Sequence, residues 1–164
     1  MNKKLSVVAL LIQIVSVFLL YVDGIFVWYV HNYESNISAN EYSFNWLINT
    51  QFDKSIFVFL TVFLILLNVA VEIITLFKEK NFLQNKYMLA LPIITLVLFV
   101  ALCMWGDSYS NTFTTEWGEV RHASAGLGLL YYVELVLLGT NILIECLKHF
   151  VYNNKTKNDA NNDI

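Results

Sequence analysis

Glu134, Asn141 and Glu145 stand seven and four residues apart inside a long apolar run, and Asn68 and Glu72 repeat the Asn-x-x-x-Glu spacing in another. Residues three, four and seven apart share one helical face. The first set therefore forms a polar stripe, which Tyr131 extends, and the second is extended by Thr61 and Thr75. Ser6, Gln13, Ser16 and Asp23 mark a comparable stripe nearer the N-terminus. Carboxyl and carboxamide groups in apolar surroundings can do two things. They can hydrogen-bond across helices and fix their packing, or the acids can bind a proton or an incoming cation.

The elements that must carry these stripes follow from composition. Of 164 residues, 57% are hydrophobic and only 14% are charged, with a mean hydropathy of +0.57. Soluble domains carry about a quarter charged residues, so lipid is the expected solvent. Four runs, at about 5–30, 55–77, 87–105 and 123–147, reach the ~20 apolar residues that a spanning helix needs. The expected fold is all-α: a four-helix transmembrane domain over residues 1–150. A polar, Asn-rich tail at 151–164 is expected to be disordered. The first run is too long for a signal core and lacks a small-x-small cleavage site, so it reads as a retained anchor.

Charge sets the expected orientation. Lys3 and Lys4 precede the first run, Lys78, Lys80 and Lys86 lie between the second and third, and Lys148, Lys155 and Lys157 follow the fourth. The positive-inside rule puts both termini in the cytoplasm. The loops at about 31–54 and 106–122 then face outward. They are acidic and carry aromatic residues, among which Trp46 and Trp117 are candidates for contact with a partner. Trp28 and Tyr29 are expected to close the first helix at the outer aromatic belt. Cys103 and Cys146 fall near opposite faces, too far apart for a disulfide.

Depth ranks the acids. Glu134 lies near the middle of the fourth run and would cost ~2.5–3.5 kcal/mol there if charged. With no Lys or Arg inside a run to neutralise it, Glu134 is expected to be protonated or to meet an incoming cation. Asp23 sits in the outer third of its run, and Glu72 and Glu145 lie near the cytoplasmic end, within reach of water, Lys78 or Lys148. The third run offers only Thr95 and Cys103 and is expected to be the more lipid-exposed helix. The two Asn/Glu pairs lie 73 residues apart (141 − 68 and 145 − 72), which we read as coincidence in a simple alphabet rather than as a duplication. Ser124, Ala125, Gly126 and Gly128 give a small-residue start to the fourth run that suits close helix packing.

No catalytic pattern is present: no Gly-x-Ser-x-Gly, no P-loop and no Cys-x-x-Cys. His31, His122 and His149 lie near the ends of the runs without the close ligand pairs of a metal site. Basic residues are too few and scattered for nucleic acid. Four spans with a Trp in the first outer loop superficially resemble the claudin architecture. That family carries a Trp followed by Gly-Leu-Trp and paired loop cysteines, and this chain has Trp46 without either; the cysteine-bearing loops of tetraspanins are also missing. Lys-over-Arg usage with abundant Asn, Ile, Phe and Tyr is that of AT-rich genomes, and we read the chain as multi-pass in a bacterial plasma membrane. The expectation is a non-catalytic, cofactor-free accessory, regulatory or immunity-type factor whose partners are the bilayer and another membrane protein or a second copy of itself. The alternative is a small proton- or cation-coupled transporter built on Glu134, Asn141, Asn68 and Glu72.

Overall fold

The computed structural model describes residues 2–31, 37–50, 55–77, 87–108, 110–114, 118 and 120–162. The elements run α1 (Asn2–Leu19), β1 (Phe26–His31), β2 (Ile37–Tyr42), α2 (Trp46–Thr50), α3 (Ser55–Phe77), α4 (Tyr87–Asp107), β3 (Ser110–Thr114), β4 (Val120–Leu127) and α5 (Leu129–Asn162). Three helices are long and apolar enough to cross a membrane: Ser55–Phe77, Leu89–Asp107 and Leu129–Val151. The 18-residue α1 packs beside two of them.

The four long helices close into a ring in which α1 packs on α3 and α5, and α4 packs on the same two. Their buried positions explain why. In α1 these are Ser6, Ala9, Gln13, Ser16 and, just past its end, Leu20; in α3 they are Val58, Thr61, Ile65, Asn68, Glu72 and Thr75. In α5 they include Tyr131, Glu134, Leu138, Asn141 and Lys148. Alternating spacings of three and four are those of helices packed side by side with a slight left-handed twist. The opposite faces are apolar and exposed, as at Phe18, Phe59, Phe63, Val136 and Leu143. A bundle with polar groups inside and bare hydrocarbon outside is built for lipid, because lipid satisfies the outside and only protein can satisfy the inside.

The all-α expectation fails at one end. The segments at about 26–42 and 110–127 form a four-stranded antiparallel sheet in the order β2-β1-β4-β3. The first helix stops at Leu19 rather than near residue 30, and the fourth starts at Leu129 rather than 123. Trp28 and Tyr29 are therefore strand residues, not a helix end at the membrane surface. "FVWYVH" is β-branched and aromatic, a composition that favours strand once a breaker precedes it, and Gly24 supplies the break with φ 121°. The small residues from 124 to 126 belong to β4. Gly126 there makes room for the Tyr29 ring, which would lie only 2.8 Å from any Cβ at that position. At its other end, α5 continues past Leu147 to Asn162, into the segment expected to be a disordered tail.

The sheet is seated on the bundle by apolar packing. Phe26, Phe44 and Leu47 are buried with Leu102, Cys103 and Tyr131. Phe99 of α4 lies 5.5 Å from the Phe44 ring and 5.8 Å from Tyr131. The corner is held by backbone bonds: Gly128 N–H donates to Ile25 C=O at 2.8 Å, and Leu130 N–H to Gly24 C=O at 3.0 Å. A Cβ on Gly128 would collide with the Gly24 carbonyl. Gly128→Ala is therefore expected to cost about 3 kcal/mol, the upper end for overpacking, read as a lower unfolding temperature in detergent by tryptophan fluorescence. Gly139→Ala, where a Cβ meets nothing within 4 Å, serves as the control and should be neutral or stabilising.

Candidate functional site: polar groups inside the bundle

The stripes expected from spacing turn inward. Gln13, Asn68, Glu72, Glu134 and Asn141 are all buried. Each carboxamide reaches a neighbouring helix. Gln13 Nε2 donates to Asn141 Oδ1 at 3.0 Å and joins α1 to α5. Asn68 Nδ2 donates to Thr95 Oγ1 at 3.0 Å and joins α3 to α4. Thr95 is fully buried, as are Phe99 and Cys103, so α4 contributes to the core as well as to the outer surface. Asp23 is not part of this interior: it lies beyond the end of α1 in an exposed turn.

Glu72 and Glu145 converge on one cation. Lys148 Nζ donates to Glu72 Oε1 at 2.5 Å and to Glu145 Oε1 at 2.6 Å. The first contact crosses the diagonal of the ring, from α5 to α3. The Lys148 side chain is 1% exposed and that of Glu72 3%, whereas Glu145 keeps 14%. The Thr75 hydroxyl lies 3.3 Å from the other Glu72 oxygen. Sequence reasoning placed Lys148 beyond the fourth run and counted it as a flanking charge. The signal that would have placed it inside is its spacing, seven from Asn141 and three from Glu145. Two carboxylates against one ammonium leave one negative charge over if all three are ionised.

Glu134 is different. It is fully buried, and neither of its carboxyl oxygens has a hydrogen-bond partner; the Ser16 hydroxyl and Gln13 Oε1 are in the same condition. Ser16 of α1 and Cys103 of α4 lie beside it. Its depth also differs from expectation. In the apolar stretch Leu129–Val151 the midpoint falls at Thr140, next to Asn141, so Glu134 sits in the sheet-side part and not at the centre. The reason is the late start of α5, since the residues before 129 are strand.

Of the two tryptophans expected to face a partner, Trp117 lies outside the described residues. Trp46 is half-buried, its ring 5.3 Å from Phe26 and 5.7 Å from both Trp28 and Tyr42. These contacts hold its ring against residues of β1 and β2. Strand register sets His31 directly opposite His122. Among the described residues no three His, Cys, Asp or Glu side chains gather as a metal site would need. Comparison with protein-family models, with curated proteins and with solved structures gives no match.

The Lys148 cluster has a clear energetic signature. Removing one partner of a buried ion pair costs about 3–5 kcal/mol, whereas replacing the whole group by neutral side chains of similar volume is often harmless. Lys148→Met should therefore destabilise the protein by about that amount, seen as a lower melting temperature in detergent. The triple variant Glu72→Gln, Glu145→Gln, Lys148→Met should recover most of the loss.

Proposed function

We propose that the chain is a four-span, non-catalytic accessory protein of a bacterial plasma membrane, with both termini cytoplasmic, that engages another membrane protein through its outer sheet. The observation that carries this reading is the sheet. Two segments about 90–100 residues apart in sequence, Phe26–His31 and Val120–Leu127, pair as β1 with β4 and build one platform. Anchoring in lipid does not require such a platform. Its outermost strands, β2 and β3, are paired on one side only among the described residues. An unpaired strand edge offers a row of backbone donors and acceptors to an extended segment of a partner. Support for α1 as the fourth span comes from its apolar outer face, Val7, Leu11, Val15 and Phe18, continuous with that of α3 and α5, and from exposed Lys3 and Lys4 at its base. The interior fits an accessory role too: its carboxamides and two of its three acids are bonded to other helices or to Lys148.

One observation favours the second reading, a small proton- or cation-coupled transporter: Glu134 is an intramembrane acid with no partner, and such residues mark ion pathways.

Two experiments separate the readings. Photo-crosslinkers at exposed Asn40 of β2 and Thr112 of β3, used in native membranes, should capture a larger partner reproducibly. Capture of the chain's own copies alone would count against the accessory role. In proteoliposomes, Glu134→Gln should abolish pH-dependent flux if the protein is a transporter; flux that persists undiminished removes that reading.

A further inference from the structure

We propose that Glu134 and Ser16 form an exchangeable proton site at the contact between α1 and α5. Among the described residues, four buried side-chain atoms have no hydrogen-bond partner: Gln13 Oε1, Ser16 Oγ and the two oxygens of Glu134. All four belong to these two packed helices. Every one is an acceptor, and only the serine can also donate. Buried polar atoms are satisfied as a rule, and each exception calls for a specific cause. Whatever satisfies this group must bring donors or positive charge.

Chemistry narrows it to a proton. A hard metal cation such as Ca²⁺ or Mg²⁺ takes about six or more oxygen ligands, and three side chains offer four acceptors. One proton on Glu134 is enough to change the balance, because it turns an acceptor-only carboxylate into a donor whose O–H can reach Ser16 Oγ. Among the described residues no fixed cation is paired with Glu134. Beside Glu134 lie Ser16 from α1 and Cys103 from α4, with Tyr131 one turn away on α5 and Asp107 of α4 near that tyrosine. Helix α3, diagonal to α5, has Glu72 as its one titratable residue, and that carboxylate is held by Lys148. Lys148 itself is fourteen residues along α5, ~21 Å away at 1.5 Å per residue. The route for exchange is short on the sheet side: Glu134 stands five residues into α5, ~7.5 Å from the end of the helix.

The site stands independently of the partner-binding reading. It supplies the ion for the transport reading without requiring net transport, so a chain that binds the proton and shows no flux keeps this site and loses that function.

The test is infrared difference spectroscopy on the full chain in lipid nanodiscs, following the carbonyl band of protonated carboxyl groups from about pH 5 to about pH 9, a range that brackets the displaced titration of a buried carboxyl. The expected result is a band that loses at least half its area reversibly as pH rises and shifts in heavy water. It should be missing in Glu134→Gln and displaced in Ser16→Ala. Should Glu134→Gln fail to fold, the Ser16→Ala displacement carries the assignment. No Glu134-dependent band at any pH would mean a carboxylate ionised throughout, and overturns the proposal. A band indifferent to both pH and heavy water would mean a sealed structural proton, and overturns it equally. Loss of the band on adding Na⁺ or K⁺ at fixed pH would make the ligand a metal cation instead.

Discussion

A single ammonium group ties the bundle together across its diagonal. The four long helices form a ring of nearest neighbours, and ring contacts alone would let opposite helices slide. Lys148 reaches from α5 to Glu72 on α3 while holding Glu145 on its own helix. Buried charge is a poor source of net stability, because desolvation offsets much of the attraction. Its value here is in selection of one arrangement: any other rotation or register of α3 against α5 leaves a charge alone in apolar surroundings. The two carboxamide bonds, Gln13 to Asn141 and Asn68 to Thr95, apply the same constraint to neighbouring pairs at a smaller cost.

The sheet depends on that arrangement. β1 follows α1, and β4 leads directly into α5, so the β1–β4 pairing closes only when those two helices are adjacent and level. The Gln13–Asn141 bond holds the same two helices midway along the bundle. Between the two fixed points lie Ser16 and Glu134. The acid without a partner thus sits at the α1–α5 contact, between the Gln13–Asn141 bond and the β1–β4 pairing.

Much of this was legible in the residues. Apart from Asp23, which is exposed, and Glu145, which is only partly buried, spacing of three and four picks out the same inward faces that the structure buries, down to Thr61 and Thr75, because lipid leaves polar groups no choice but the interior. Helix α3 has the expected bounds, 55–77. Less visible was the change from helix to strand after Leu19. An apolar run reads alike in either state when no polar residue marks the period, and "LLYVDGIFVWYV" gives only Asp23 and Gly24 as punctuation. The error propagated: moving the start of the fourth helix to Leu129 moved Glu134 away from mid-depth and brought Lys148 inside.

Composition and periodicity determined that this is a membrane protein of long helices with polar inner faces, since both follow from local spacing and the demand of the solvent. Which polar group meets which was decided only in three dimensions. Lys148 finds Glu72 76 residues away and Gln13 finds Asn141 128 residues away, separations at which no local rule acts. The pairing of β1 with β4 is of the same kind. Each strand alone is a short segment with unmet backbone groups, and it becomes a strand because the ring of helices delivers its partner.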